Sequence, residues 1–259
     1  MELLERPLGA RSLIASLLLR SQPPRMRPAR LVQWCQLFGV SEGAARVALS
    51  RMVDRGELIA SGGMYELAGR VGGRRPAQDW SIDPRRASRW NGEWRIAAVA
   101  SATRAAPERL ALRDAMRRLR MAEVREGTWT RPDNLPRASA PPDAWDVTDA
   151  QCSWWTARPD DDPRVLAATL FEPARWARRA DQLRTRLDRV TANLDHAPEH
   201  RLADAFVAGA AVLAHVRADP LLPVELGPSS EAGDALRAAY RAYEAEFSSA
   251  LRAWFRSHA

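Results

Sequence analysis

The sequence lacks lysine altogether and contains only two cysteines, Cys35 and Cys152. All 39 basic residues are therefore arginines, whose planar guanidinium suits contacts with phosphates and guanine edges. Two cysteines so far apart in the chain exclude a disulfide framework and a cysteine-rich zinc site. We expect both to be reduced, packed thiols, and the sequence predicts no cofactor, no metal site and no catalytic residue.

Long apolar runs are also absent, since no stretch approaches the roughly 20 residues that cross a bilayer. The apolar segment from Leu13 to Leu19 is short, contains Ser16 and lacks a small-residue cleavage site, which argues against a signal peptide. With 46% hydrophobic and 27% charged residues, the composition is that of a soluble globular protein. These features predict a cytoplasmic protein without a membrane partner, and 259 residues leave room for up to three small domains.

The net charge of +7 is unevenly distributed along the chain. Residues 1–89 contain 15 arginines against 8 acidic residues, whereas residues 90–259 contain 24 of each. The whole excess therefore belongs to the N-terminal third, as expected of a module that faces nucleic-acid phosphates.

The N-terminal third has the pattern of a winged helix-turn-helix. Apolar periodicity predicts helices at 11–20, 28–38 and 41–55, with Ser41 as the N-cap of the third helix and Gly56 at its end. Two alternating segments around Ser61-Gly62-Gly63 predict a β-hairpin, the wing. The apolar face of the third helix and its approach comprises Leu37, Val40, Ala45, Leu49 and Met52.

The opposite face of the third helix supplies the candidate DNA-binding residues, because a small amphipathic helix fits the major groove. They are Ser41, Arg46, Val47, Ser50 and Arg51. Arg46 is the candidate for a bidentate contact with guanine, and Arg51, Ser41 and Ser50 are candidates for phosphate or mixed contacts. Arg27 and Arg30, at the start of the second helix, are candidates for backbone contacts, although they equally fit an ordinary solvated basic face.

Beyond a Gly-, Arg- and Pro-rich linker at 68–89, the pattern changes. We predict a strand at 90–100, a helix at 107–121, a strand at 122–130, a loop at 139–143 and a strand region at 145–157. This order indicates a small split-βαβ layer. From Asp162 onward no strand is evident, and the predicted elements are helices at 163–170, 173–194, 199–217 and 231–257, a helical bundle or cap.

Segments in three regions of the chain resemble the PaaX-type repressors of bacterial phenylacetate catabolism. They are GARSLIASLLL and FGVSEGAARVALSRMVDRGEL in the N-terminal third, WNGEW and EGTWTRPDNL in the middle, and DPLLPVELGP followed by ALRAAYRAYEAEF near the end. The resemblance implies an α+β protein with a winged helix-turn-helix domain (1–75), a ferredoxin-like, Cas2-like middle domain (90–160) and a helical C-terminal domain (161–259). It further implies a homodimer on a palindromic operator, released by a small-molecule effector such as phenylacetyl-CoA or another acyl-CoA.

Two departures from the family pattern refine this expectation. The hairpin turn SGGM carries none of the arginines often found in the wing. We therefore expect the third helix to provide the specificity for the DNA sequence. The segment GPSSEAG replaces the usual LPxDWPG, and if that segment shapes the effector pocket, we expect a chemically different effector.

Two other classes of function stay open. His196, Glu199 and His200 form an HxxEH pattern, typical of a zinc-dependent hydrolase, although Pro198 would interrupt the helix that such a site requires. The Cas2 resemblance also suggests a nuclease. However, the first strand of the middle domain ends Val99-Ala100-Ser101, without a metal-binding carboxylate. The second open class is a non-enzymatic scaffold whose C-terminal helices bind a protein partner.

Overall fold

The computed structural model describes residues 8–21, 23–68, 81–82, 84, 89–100, 105–192, 194 and 199–258, excluding the side chains of 199 and 200. The chain divides into two compact units, each assembled from separate segments. Unit 1 comprises residues 1–82, 185–213 and 239–259, and unit 2 comprises 83–184 and 214–238. Both contain helices and an antiparallel sheet, so the expected mixture of α and β structure is confirmed. The three domain boundaries given above stay a prediction.

Unit 1 begins with three helices and a small sheet. The helices are α1 (Ala10–Arg20), α2 (Pro28–Gln36) and α3 (Glu42–Asp54), and the strands are β1 (Arg25–Met26), β2 (Leu58–Ser61) and β3 (Met64–Leu67). The three predicted helices and the hairpin are confirmed to within two residues at each end. The short strand β1 was not predicted, because two prolines before it indicated only a break in the chain.

The hairpin of unit 1 owes its register to its glycines. Strands β2 and β3 pair antiparallel, with Ser61 opposite Met64, so the turn consists of Gly62 and Gly63 alone. Both have positive φ, +57° and +72°, the conformation of a type I′ turn, whose twist matches that of the paired strands. Strand β1 adds to the other edge of β3, which gives a three-stranded sheet in the order β1-β3-β2.

The core of unit 1 is organised around Trp34, which is completely buried. Its indole N–H donates to the Leu13 carbonyl at 3.2 Å, which ties α2 to α1. Its ring meets Phe38, Phe206 and Trp254 edge to face at centroid separations of 4.9, 5.0 and 6.3 Å. Such aromatic pairs stabilise beyond their buried area, so the N-terminal helices share one core with the C-terminal segments of unit 1.

Unit 2 is built on a four-stranded antiparallel sheet. Its elements, in chain order, are β4 (Trp94–Val99), α4 (Ala106–Arg118), β5 (Ala122–Arg125), β6 (Thr128–Pro132), α5 (Pro142–Asp149) and β7 (Cys152–Ala157). The strands lie in the order β5-β6-β4-β7. This βαββαβ succession puts the first strand in the middle of the sheet, between the third and fourth.

Two predictions in this region were wrong. The single strand expected at 122–130 is a hairpin, β5 and β6, that turns at Glu126-Gly127. The first half of the strand region at 145–157 is the helix α5, which begins at Pro142 and so also includes the last two residues of the predicted loop at 139–143. Pro142 occupies the first turn of α5, where its missing N–H costs nothing. The buried residues Ala144, Trp145 and Thr148 follow helical rather than strand spacing.

Four helices complete the chain: α6 (Pro163–Phe171), α7 (Pro173–Thr191), α8 (Glu199–Arg217) and α9 (Ser229–Ser257). They confirm the four predicted C-terminal helices, and α7, α8 and α9 each contribute residues to both units. None of the helices in the described part of the chain combines the length and apolar character needed to cross a bilayer.

A close approach of two helices in unit 1 gives a stability prediction. Gly209 of α8 lies against the buried Tyr243 of α9, and a Cβ at Gly209 would lie 2.5 Å from the ring carbon Cζ. We expect Gly209→Ala to lower the free energy of unfolding by about 1–3 kcal/mol, because overpacking displaces a rigid ring. Denaturant unfolding measures this loss.

Gly43 of α3 is the matched control, since a Cβ there meets nothing within 4 Å. Gly43→Ala should stabilise by about 0.5–1 kcal/mol through the entropy of the unfolded chain. Equal effects of the two substitutions would contradict the packing described here.

Candidate functional site

Helix α3 has two sharply different faces. Ala45, Leu49 and Met52 are buried in unit 1, with exposed fractions of 2% or less. The predicted residues Arg46, Val47, Ser50 and Arg51 are all exposed. At 100° per residue these four span about 140° of the helix surface, opposite the buried face. The structure thus brings four of the seven predicted site residues onto one exposed strip, the outer face of α3.

The start of α3 is fixed by its own side chains. Ser41 is the N-cap, and its hydroxyl accepts a hydrogen bond from the Ala44 amide at 3.3 Å, as its predicted capping role requires. Arg46 donates from both Nε and Nη2 to the Glu42 carboxylate, each at 2.8 Å. Because both side chains are more than half exposed, this pair contributes only about 0.3–0.5 kcal/mol. Arg46 can therefore leave Glu42 at little cost when a stronger acceptor is present.

Val47 is an exposed apolar residue within this charged strip. Half of its surface is accessible to solvent, and it stands beside Arg46 in the sequence, one turn before Arg51. A single exposed valine is common on protein surfaces. Between two arginines and Ser50, however, it completes a strip with bidentate donors, a hydroxyl and an apolar group, the mixture that contacts base edges in a major groove.

The two remaining predicted residues lie on α2, apart from the outer face of α3 in the sequence. Arg27 is the N-cap residue of α2, is exposed, and makes no side-chain cap. Arg30 is also exposed, but its guanidinium carbon lies 5.4 Å from the centre of the Phe255 ring. This cation–π contact gives Arg30 a packing role that the sequence could not reveal.

The sheet of unit 1 adds an arginine that sequence reasoning missed. Arg25 is exposed on β1, where it is paired with Glu66 of β3 in the sheet register. Ile59 of β2 is likewise 54% exposed. The only signal for Arg25 was its place in the basic N-terminal third, because its strand is two residues long and follows two prolines.

The HxxEH pattern falls largely outside the described residues. His196 lies outside them, as do the side chains of Glu199 and His200. The backbone shows that α8 begins at Glu199, directly after Pro198. No group of three or more potential metal ligands occurs among the side chains that the structure describes.

Comparisons with known proteins place the chain in a family. Residues 9–71, which span α1 to the hairpin, match the family described as PaaX-like protein. The chain belongs to the PaaX-like family. This membership supports a role in transcription regulation.

A solved structure resembles nearly the whole chain. It is the uncharacterized protein Rv0674 from Mycobacterium tuberculosis, with 34% sequence identity and a TM-score of 0.67. The match covers 95% of this chain and 98% of that one. No curated protein matches the chain. The similarity of fold to this uncharacterized protein therefore extends well beyond residues 9–71.

Proposed function

We propose that this protein is a sequence-specific DNA-binding transcriptional repressor without catalytic activity. The observation that carries the proposal is the outer face of α3, where two arginines, a serine and a valine are exposed while the opposite face anchors the helix in unit 1. Helix α3 follows α2 and precedes the hairpin, the order of a winged helix-turn-helix. The excess positive charge of the N-terminal third supplies the attraction to phosphates.

The chemistry of α3 suits the major groove. Arg46 can donate two hydrogen bonds to O6 and N7 of guanine, and Val47 can contact a thymine methyl group. Ser41, Ser50 and Arg51 flank them and suit phosphate oxygens, as Arg27 and Arg30 do at the start of α2. The hairpin turn carries two glycines and no arginine, so we assign the reading of bases to α3.

The other parts of the proposal follow from the family. The βαββαβ order of unit 2, with its first strand central, supports a ferredoxin-like middle domain. We propose that the repressor acts in the cytoplasm as a homodimer on a palindromic operator. A small-molecule effector, an aryl-acyl-CoA such as phenylacetyl-CoA, would release the DNA by favouring a dimer with unsuitable half-site spacing.

The test of DNA recognition is a gel-shift titration of the full chain against the DNA upstream of its own gene. We expect binding at least about 1,000-fold tighter than to a shuffled duplex of the same composition, the usual gap between specific and non-specific sites. Affinity should fall steeply as salt rises, because bound arginines release counterions. Equal affinity for the two duplexes would overturn the proposal.

The effector is tested separately on the complex with DNA. Phenylacetyl-CoA should dissociate the complex, whereas free coenzyme A and phenylacetate should not. Dissociation by free coenzyme A alone would refute the aryl-acyl part of the proposal and leave DNA recognition standing.

A further inference from the structure

A shallow pocket opens on unit 2, beside the end of α4 and the central strands of the sheet. The unfilled space of about 320 Å³ includes open solvent, and only about 10 Å³ of it admits the centre of a water-sized sphere. Its charged lining residues are Arg95, Arg118, Arg120, Arg131 and Asp133. All of them belong to the same unit. The narrow interior suits a chemical group of a few atoms rather than a large ligand.

The lining of this pocket contains more guanidiniums than carboxylates. Arg95 bonds to Asp133 at 2.8 Å, and Arg118 bonds to Asp143 at 2.7 Å. The lining itself contains four guanidiniums and one carboxylate, that of Asp133, and Asp143 pairs with Arg118 from outside the lining. Each of these two ion pairs uses one terminal nitrogen of its arginine. Because a guanidinium has five N–H donors, both side chains retain donors that can turn to a ligand.

Arg131 contributes a buried positive charge to this pocket. It is 4% exposed, and its guanidinium donates to neutral acceptors, namely the carbonyls of Leu119, Arg120, Pro132 and Leu221 and the amide oxygen of Asn134. No carboxylate among the described residues shares these hydrogen bonds. Burial, and after it the charges of Arg120 and Arg95, lower the pKa of Arg131 to about 9. It therefore stays charged near neutral pH.

Arg120 occupies the pocket rim at a conformational cost. Its φ is +61°, directly after the end of α4, a left-handed position that glycine usually takes. Its guanidinium donates to the Arg217 carbonyl. A non-glycine residue in that conformation is strained. The fold thus keeps a fourth arginine at the pocket where a glycine would be less strained.

We propose that this pocket binds the oxyanion group of a small ligand, a carboxylate or a phosphate. Arg118 and Arg95 would donate directly, Arg131 would supply buried positive charge from behind, and Arg120 would close the rim. Charge-assisted, bidentate bonds are the form in which arginine holds such groups. That this anion belongs to the effector rests on the function proposed above, whereas the binding itself does not.

The test uses the full chain with inorganic phosphate and with acetate, at constant ionic strength set by sodium chloride. Calorimetry and thermal unfolding should show saturable binding of at least one anion, since a ligand of the folded state raises the melting temperature. Saturation by phosphate alone identifies a phosphate group, and saturation by acetate identifies a carboxylate. Arg118→Gln should weaken that binding about tenfold, the value of one hydrogen bond to a charged group.

Two control variants locate the bound anion. Arg113→Gln removes the same charge from the same helix, at an exposed position that does not line the pocket, and should change the affinity less than about twofold by screened charge alone. Arg46→Ala should leave anion binding intact, because it belongs to the outer face of α3. The inference is overturned if neither anion saturates, or if Arg118→Gln and Arg113→Gln weaken binding equally. Loss of binding in Arg46→Ala would also overturn it, by moving the anion to the DNA-reading face. These measurements contain no DNA, so failure of the gel shift leaves their outcome unaffected.

Discussion

Replacing Asp219 with alanine should destabilise unit 2 by about 3–5 kcal/mol, the cost of removing one partner of a buried ion pair. Asp219 is completely buried, and its Oδ2 accepts from Nη2 of Arg237, 2% exposed, at 2.6 Å. Its Oδ1 accepts from the Leu221 amide at 2.8 Å, and Leu221 has a φ of +52°. The substitution therefore removes the nearest carboxylate from the buried guanidinium of Arg237. It also removes the hydrogen bond that holds Leu221 in its left-handed conformation. Denaturant unfolding of the full chain measures the loss.

Asp234 provides the matched control for Asp219. Its carboxylate also approaches Arg237, but at 3.8 Å and with 58% of the side chain exposed. Asp234→Ala should cost less than about 1 kcal/mol, as exposed pairs do. The double variant Asp219→Leu with Arg237→Met should recover part of the lost stability, because an apolar pair avoids the buried charge. A similar loss of stability in Asp219→Ala and Asp234→Ala would contradict the difference expected between a buried and an exposed ion pair.

The N-terminal elements were predictable because local signals agree there. Ser41 caps α3, Gly62 and Gly63 form the turn, and the buried residues of α3 recur at helical spacing. Each feature depends on neighbours within a few positions, which the sequence displays directly. The exposure of Arg46 and Val47 follows from the same periodicity, so the outer face of α3 could be named before the structure was known.

The roles that depend on long-range contacts could not be predicted. Asp219 opens the DPLLPVELGP block, which the sequence marks as family-like without a reason. In the structure it holds Leu221, whose carbonyl accepts hydrogen bonds from Asn134 and Arg131, some 90 positions away. Arg30 likewise meets Phe255 from the other end of the chain. No local pattern distinguishes Arg131 and Arg30 from the other 37 arginines, which composition alone would place at the surface.

The error in predicting helix α5 has a different cause, the strand preference of single residues. Trp145 lies in a segment rich in residues that favour strands, and Trp154-Trp155 later in it does lie in β7. The indole N–H of Trp145 donates to the Arg137 carbonyl, and the Arg137 guanidinium lies 4.2 Å from its ring centre. Tertiary contacts of this kind override the preference of single residues, so an aromatic residue near a proline could not fix the type of element.

The affinity for DNA should depend on Arg46 in a way that distinguishes base reading from charge. On the proposed function, Arg46 exchanges the exposed Glu42 carboxylate for a guanine edge, and the exchange is cheap because that pair is solvated. Arg27 is the matched comparator, since it is exposed and, among the described residues, makes no ring contact like that of Arg30. Glu42→Ala removes the competing carboxylate and should raise affinity slightly for every duplex, by lowering negative charge near phosphates.

Arg46→Ala should weaken binding to the preferred duplex by about 1–3 kcal/mol and relax the preference at one base pair, because a bidentate contact with guanine is lost. Arg27→Ala should weaken all duplexes evenly and reduce the salt slope by about one, the signature of a lost phosphate contact. Gel shifts against duplexes substituted at each base pair measure both effects. If Arg46→Ala and Arg27→Ala cause the same loss of affinity on preferred and shuffled DNA, then α3 contributes charge but does not contact bases specifically. Base recognition would then belong to the hairpin and β1, where Arg25 and Ile59 are exposed.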